Sequence, residues 1–402
     1  MGRMPRRLLP LLLIIPTCAI AASVELPAGT QIQIRLTTII DGSTGKPNDP
    51  FEAVVLAPVL VDGRSVVAQG AKVSGIVKEA KPSAQANEQS IVTLQFVDLN
   101  DSHSAKANLA AKVVEVDNAR ETVDSQGQIV GIMASQTASA RLDQGINKVS
   151  QRFPGLGDLL GAAKGAIVKE ADPSIHYEPG VEMTIELTKS LRWDVRDAQD
   201  VKAISPASEL NAIVARQPFQ TMAASPPRPS DITNLLFIGT REAIESAFKE
   251  AGWFPADPLT GQSKMETFKA IVEMRGYKAA PVSTLLLDGA PPDLVFQKQN
   301  NTFSKRHHLR LWLRPDRFQG KQVWACAATH DIGIDYSEEQ RTFIHRVDPK
   351  IDKERAKVMN DLLFTGQVRR VSLVDRTNVP ENGRNATGDP FETDRKMAVI
   401  EF

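Results

Sequence analysis

Short runs in which apolar and polar residues alternate, each closed by turn residues, fill most of residues 25–124. Alternation with a period of two places the apolar side chains on one face of a strand. Short strands with frequent turn signals are typical of a small all-β sandwich or barrel. The clearest runs are TQIQIRLT, the segment after Gln69-Gly70, IVTLQFVDL and the valines between 113 and 116.

A weak internal repeat extends this β-rich module beyond residue 124. LPAGTQIQIRLTTI (26–39) and EPGVEMTIELTKSL (178–191) share a Pro, a Gly, an alternating run and then Thr and Leu. We expect the second copy to be a late strand that closes the same module, over residues 22–195. Residues 125–176 between them are rich in Gly and Ala with loose helical spacing. Three interpretations are open for this insertion: a helical excursion, a poorly ordered segment, or an amphipathic contact with a membrane.

The second half of the chain has a different pattern. Residues 196–230 are polar and Pro-rich, which predicts a linker. Leu235–Ile238 then predicts a buried strand, Thr240 an N-cap and Gly252 the end of the following helix. The later elements predicted are helices at about 263–275 and after Asp348-Pro349, and strands near 293–297, 307–314, 322–332, 368–374 and 397–402. This mixed order predicts an α+β domain with a mixed sheet over residues 231–402.

The N-terminus has the pattern of an export signal. Three arginines without an acid precede the apolar run Leu8–Ile15, and Ala19-Ile20-Ala21 is a small-x-small cleavage pattern. We therefore expect a signal peptide over residues 1–21 and a periplasmic or secreted protein. The alternative is an inner-membrane anchor, if the segment stays uncleaved. The formal net charge is zero, so composition gives no indication of a nucleic-acid partner.

Two adjacent histidines, His307 and His308, open an alternating run in SKRHHLRLWLRP. If residues 307–314 form a strand, His307 shares a face with the leucines and His308 shares the opposite face with Arg310. A hairpin that buries the leucines against Val323, Ala325 and Ala327 places His308 opposite His330. Directly opposed side chains begin about 5 Å apart at Cβ.

Two kinds of site follow from that register, and a third interpretation needs no site. Arginine grips phosphate in a bidentate way, which predicts an anion site, and imidazoles suit a divalent metal ion with an open position for hydrolysis. Alternatively, His308 is an ordinary strand residue and the basic residues solvate an edge strand. The anion candidates are His308, Arg310, His330 and Arg306, and the metal candidates are His308, His330, His345 and Asp348.

Six segments in this order resemble the LssY C-terminal domain family over about residues 230–402. They are NLLFIGTREAI followed by AGW, APVSTLLLDGAPPDLVFQK, RHHLRLWL, VWACAATHDIGI, HRVDPKIDKER and TGDPFETDRKMAVIEF. The family is often joined to membrane-embedded modules of the DedA and phosphatidic-acid-phosphatase types. The resemblance therefore implies a setting in envelope or lipid biology, without naming a reaction. The N-terminal half resembles small β modules of exported bacterial proteins.

We therefore expect an exported cell-envelope binding or scaffolding protein that recognises an anionic or phosphate-bearing ligand. The alternative is a metal-dependent hydrolase that acts on a phosphate-containing or lipid-linked envelope substrate. The partners expected are an envelope protein or an anionic, lipid-linked ligand, and no nucleic acid. A divalent metal ion is the one cofactor that the sequence suggests. Membrane association would use the uncleaved signal or the insertion 125–176.

Overall fold

The computed structural model describes residues 22–402 except for 62–63, 102–105, 153–163, 166–168, 196–207, 225, 258–259 and 338–341. The predicted signal peptide, residues 1–21, lies outside the described residues, so its cleavage stays a prediction. Among the helices that are described, none has the length and apolarity needed to cross a membrane.

The N-terminal half, residues 22–195, consists mainly of strands. They are β1 Ala22–Leu26, β2 Gln31–Leu36, β3 Ile40–Asp41, β4 Pro50–Val55, β5 Val59–Val61, β6 Arg64–Val67, β7 Lys72–Lys81, β8 Ile91–Asn100, β9 Lys106–Asn108, β10 Ala111–Val116, β11 Thr122–Val123, β12 Gln128–Val130, β13 His176–Tyr177, β14 Glu182–Leu187 and β15 Leu191–Val195.

Nine of these strands form one nearly closed, barrel-like antiparallel sheet. Its order is β10-β14-β2-β4-β7-β8-β12-β11, with β9 paired to β8. The alternating apolar residues of the sequence point into this barrel, where they form a single core from Leu26 to Trp193. The prediction of a small all-β barrel or sandwich for the first half is therefore confirmed. We call this half the barrel.

The internal repeat corresponds to two neighbouring strands. β14 pairs antiparallel with β2, with Met183 opposite Ile34 and Ile185 opposite Ile32. The glycine of each copy, Gly29 or Gly180, has a positive φ in the turn before its strand, which costs a glycine little. Each copy also bonds the other in the same way: the Gly29 N–H donates to Leu187 O, and the Gly180 N–H donates to Leu36 O. The second copy thus belongs to the same sheet, as the repeat predicted.

The insertion 125–176 contains both sheet and helix. Its first residues supply β12, which pairs with β8 inside the barrel sheet. A 3-10 turn, Ala134–Gln136, leads into helix α1, Ala138–Arg152. The helical interpretation is therefore right for this part of the insertion, and contact with a membrane stays a prediction.

The C-terminal domain, residues 208–402, mixes helices and strands. The helices are α2 Ser208–Arg216, α3 Arg241–Glu250, α4 Gly261–Val272 and α5 Ile351–Phe364. The strands are β16 Gln220–Ala224, β17 Pro227–Ile232, β18 Leu235–Ile238, β19 Phe254–Pro255, β20 Leu285–Leu286, β21 Leu294–Lys298, β22 Arg306–Phe318, β23 Lys321–Ser337, β24 Thr342–Val347, β25 Arg370–Asp375, β26 Asn382–Arg384, β27 Pro390–Glu392 and β28 Lys396–Glu401.

An eight-stranded mixed sheet is the centre of this domain. Its order is β19-β21-β22-β23-β18-β28-β25, with β24 paired to β23, and only β18 and β28 run parallel. Helices α3 and α5 cover one face, where Phe248 and Leu362 pack with Leu309 and Leu311. Helix α2 packs on the other face. The predicted α+β class with a mixed sheet is confirmed, and the Thr240 side chain caps α3 as expected.

The segment predicted as a Pro-rich linker, 196–230, is largely part of the C-terminal domain. Its residues 196–207 lie outside the described part of the chain. From Ser208 onward the segment forms α2, β16 and most of β17. Leu210, Ile213 and Val214 are buried on one face of α2. Their i, i+3, i+4 spacing is typical of an amphipathic helix, in spite of the prolines that follow. The prolines of β17 lie on an edge strand, where the missing N–H costs no ladder bond.

Candidate functional site

The β22–β23 hairpin brings two histidines together, but in a register one residue away from the predicted one. His307, not His308, lies opposite His330, and His308 lies opposite Thr329. The turn is tight, at Gln319 and Gly320, both with positive φ, and the register shifts at a bulge between Arg314 and Arg317. Because strand side chains alternate, a shift of one residue exchanges the faces. The leucines therefore share their face with Cys326 and Ala328 instead of Ala325 and Ala327.

The face that carries His308 holds a buried ion-pair network around Asp331. Its carboxylate lies 3.1 Å from Arg306 Nε, 2.9 Å from His308 Nε2 and 3.2 Å from His345 Nδ1. Burial alone would raise the pKa of this carboxyl, but the charges of these neighbours hold it far below its usual range. Burial lowers the pKa of His345 to about 4, so the Arg306 guanidinium is the permanent positive charge that faces Asp331.

Arg310 lies beside this network and is bonded by the protein itself. Its guanidinium contacts Asp231 Oδ2 at 3.1 Å and donates to both the carbonyl and the hydroxyl of Ser283 at 3.0 Å. Only 1% of the residue is exposed. These contacts occupy the donors that a bidentate grip on phosphate would need.

Neither predicted set of ligands converges on one site in this structure. Of the anion candidates, Arg306, His308 and Arg310 lie together, whereas His330 lies on the opposite face of the hairpin. Of the metal candidates, His308 and His345 contact Asp331, whereas His330 and Asp348 line a cleft on the other side.

The other face brings together His307, His330 and residues from the barrel. His307 donates from Nδ1 to Glu354 Oε2 at 2.6 Å, and its Nε2 lies 3.0 and 3.2 Å from the two oxygens of Asp117. The His307 and His330 rings stack, with centroids 4.2 Å apart. The Nε2 of His330 contacts Asn118 Oδ1 at 2.8 Å. Asp117 and Asn118 follow β10 of the barrel, so this cluster joins the two halves of the chain.

The electrostatics of this cluster depend on His307. Burial lowers the pKa of its imidazole, but the carboxylates of Glu354 and Asp117 outweigh burial and raise the pKa to about 10. Burial and the neighbouring positive His307 lower the pKa of His330 to about 4. Burial together with the Asp117 charge raises the pKa of Glu115. These pKa shifts favour an imidazolium at His307 beside a neutral imidazole at His330.

A cleft of about 160 Å³ opens over these residues. The barrel and the C-terminal domain both contribute walls. Its charged and histidine lining residues are Glu115, Asp117, Glu182, His307, His330, Asp348, Lys350, Lys353, Glu354 and Lys357. Lys350 and Lys353 are exposed at the start of α5. Such a cleft can hold an ion or a small charged group between the domains.

Residues 217–397 match the LssY C-terminus family model. This match confirms the resemblance that the six segments predicted, and it extends into the segment expected to be a linker. No curated protein matches the chain. We refer below to residues 208–402, which include the matched residues 217–397, as the LssY domain. The family description names no reaction, and a fold by itself does not determine function.

A second buried cluster fixes the barrel to the LssY domain beside the cleft. Glu182 of the barrel lies 2.7 Å from Arg35 and 2.6 Å from both Lys298 and Lys357 of the LssY domain. Asp361 contacts the same three cations, at 3.4, 2.9 and 2.6 Å in the same order. Although burial opposes it, these cations hold the pKa of Glu182 well below its ordinary range.

Local sequence patterns indicate some of these residues only in part. Glu354, Lys357 and Asp361 follow an i, i+3, i+7 pattern, which places them on one face of α5. A charged face of this kind is usually exposed to solvent, so the pattern alone indicated no site. Asp117 has a turn signal in Asp117-Asn118, and Asn118 does adopt a positive φ. Nothing local to it, however, indicates a contact with His307, 190 positions away.

Proposed function

We propose that this is an exported cell-envelope binding or scaffolding protein whose interdomain cleft binds an anionic, phosphate-bearing ligand. The observation that carries the proposal is the pair of lysines at the cleft. Among the described residues, the ammonium groups of Lys350 and Lys353 have no hydrogen bond and no ion pair, although Lys353 interacts electrostatically with Glu115. The buried acids of the cleft, in contrast, have cationic partners.

Charge pairing inside the cleft supports an anion at its mouth. Asp117 and Glu354 are bonded to His307, and Glu182 is bonded to Lys298 and Lys357. The two rim lysines can therefore supply charge-assisted hydrogen bonds to a phosphate without breaking a pair. The ligand comes either from a lipid headgroup or from a free phosphate compound, since both present the same group.

The double variant Lys350→Gln/Lys353→Gln removes both lysines at the rim of the cleft. We expect it to bind glycerol 3-phosphate at least about tenfold more weakly, because hydrogen bonds to charged groups contribute about 1.5–3 kcal/mol each. Isothermal titration calorimetry with glycerol 3-phosphate and inorganic phosphate measures this, and flotation with phosphatidic acid vesicles identifies a lipid source. The matched control is Lys189→Gln with Lys249→Gln, two exposed lysines outside the cleft lining. Equal affinities for the two double variants, or no binding by the wild-type protein, would refute the proposal.

Export is proposed on the sequence pattern of residues 1–21. The structure is compatible with removal of that segment, since Ala22 is already paired with Val195 at the start of the fold. Protein recovered from cells is expected to begin at or near Ala22 when its N-terminus is sequenced. An intact Met1 on protein from the cytoplasm would contradict export, and an intact Met1 in the membrane fraction would indicate an uncleaved anchor.

A metal-dependent hydrolase of phosphate esters is the second candidate. The group Asp117, His307 and His330 favours it, because their potential ligand atoms lie within 4.8 Å of one another. Glu115 lines the same cleft and has a carboxyl group that can serve as a general acid or base. Metal-dependent turnover of p-nitrophenyl phosphate that is lost in Glu115→Gln would favour this candidate. Binding of glycerol 3-phosphate without turnover would favour the first.

A further inference from the structure

The geometry of the His307 cluster is close to that of a metal site. One ligand atom from each of Asp117, His307 and His330 lies within 4.8 Å of the other two. Bonds of about 2.0–2.1 Å in a tetrahedral site place neighbouring ligand atoms about 3.3–3.5 Å apart. Nε2 of His307 and the nearer Asp117 oxygen are already 3.0 Å apart. An ion bound here would replace the direct hydrogen bond between His307 Nε2 and Asp117.

Both histidines also have the outer partners that metal-binding histidines usually have. A ligating histidine donates its second ring N–H to a carboxylate or carbonyl oxygen, which fixes the tautomer and the ring plane. Glu354 Oε2 accepts from Nδ1 of His307, leaving Nε2 toward Asp117. Asn118 Oδ1 accepts from Nε2 of His330, leaving the Nδ1 lone pair for a ligand.

Glu354 supplies a second, independent observation. Glu354 is 3% exposed and lines the cleft. Its Oε1 is a buried oxygen without a hydrogen-bond partner. An unsatisfied buried carboxylate oxygen is costly. A cation or its bound water in the cleft would satisfy it.

We propose that Asp117, His307 and His330 bind one divalent transition-metal ion, which ties the barrel to the LssY domain. Two imidazoles and one carboxylate favour zinc and its neighbours over magnesium or calcium, which prefer oxygen ligands. Three protein ligands leave one tetrahedral position open. This inference rests on the proposed function for what occupies that position, namely a phosphate oxygen that the rim lysines also contact. Metal binding itself does not depend on that ligand.

Metal binding is tested on the mature chain, residues 22–402, after treatment with a chelator and dialysis. Calorimetric titration with Zn²⁺ is expected to show one ion per chain, and Co²⁺ is expected to give the visible absorption of a tetrahedral nitrogen–oxygen site. His330→Ala should lose the site, and Glu354→Gln should weaken binding about 10–100-fold, because it changes the outer partner of His307 and leaves the three ligands in place. His176→Ala, an exposed histidine of the barrel, should bind as the wild-type protein does.

Several outcomes would overturn the inference. They are a wild-type chain without stoichiometric Zn²⁺, a Co²⁺ spectrum of hexaaqua type, or equal Zn²⁺ affinity in His330→Ala and the control. The cluster would then be an ion pair centred on protonated His307. The Co²⁺ spectrum of the wild-type chain decides the matter even if His330→Ala fails to fold.

Titration with glycerol 3-phosphate, with and without Zn²⁺, separates this inference from the proposed function. Zn²⁺ binding without phosphate binding would retain the metal site and remove the proposed ligand. Phosphate binding of equal strength in the presence of a chelator would retain the proposed function and remove the metal from it.

Discussion

Replacing Asp361 with alanine is expected to lower the free energy of unfolding by about 3–5 kcal/mol, the usual cost of removing one partner from a buried ion pair. Asp361 is 0% exposed. Its oxygens accept from the amines of Lys298 and Lys357 and from the indole N–H of Trp253 at 2.9 Å. Alanine would leave Glu182 as the one carboxylate shared by Arg35, Lys298 and Lys357, and it would leave the indole N–H without an acceptor.

Chemical denaturation followed by circular dichroism measures this loss, with an exposed carboxylate as the control. Glu245 pairs with Arg241 across one turn of α3, and both side chains are more than 40% exposed. Because exposed pairs of this type contribute little, Glu245→Ala should stay within about 0.5 kcal/mol of the wild-type protein. If Asp361→Ala also changes the free energy of unfolding by less than about 0.5 kcal/mol, the buried cations do not depend on Asp361. Other contacts would then join the two domains.

The expected loss matters for function because the same cluster fixes the cleft. Interfaces between domains are usually polar enough to permit relative motion. Here two carboxylates and three cations are shared between the barrel and the LssY domain. The loop after β10 is further held by Asn301, whose amide donates to Glu121 Oε2 at 2.7 Å. These contacts position Asp117 opposite His307, so the site depends on both domains being present.

The sequence predicted the elements of the fold better than their assembly. Alternation identified the barrel strands, and the periodicity after Thr240 identified α3, because these patterns report local burial. The register of the β22–β23 hairpin was wrong because it depends on a bulge at residues 315 and 316. Pro315 was the available signal, since a proline in a long strand is usually placed at a bulge or an edge. The bulge determines which histidine lies opposite His330, so a register drawn without it pairs the wrong residue.

The candidate site was predictable only in part for a related reason. One half of it comes from a hairpin that the sequence identified as rich in histidine. The other half comes from Asp117 and from one face of α5, and nothing in the local pattern joins these segments. Residues so far apart in the chain meet only through the packing of the two domains.

Replacing Arg310 with alanine is also expected to lower the free energy of unfolding by about 3–5 kcal/mol, because the buried carboxylate of Asp231 would lose its cationic partner. Asp231 is 8% exposed and pairs with Arg310 at 3.1 Å. Denaturation measures the loss against Arg216→Ala. Arg216 pairs with Asp316 through a side chain that is 58% exposed, so its loss should cost less than about 1 kcal/mol.

Arg310→Lys distinguishes a structural arginine from one that binds an anion. Lysine keeps a charge for Asp231, but a single ammonium cannot also reproduce the fork that contacts both Ser283 oxygens. We therefore expect a stability between those of Arg310→Ala and the wild-type protein. Affinity for glycerol 3-phosphate, measured where both proteins are folded, should not change, since Arg310 lies across the sheet from the cleft. Wild-type stability combined with lost phosphate affinity would instead place the anion site on the His308 face, as the sequence alone suggested.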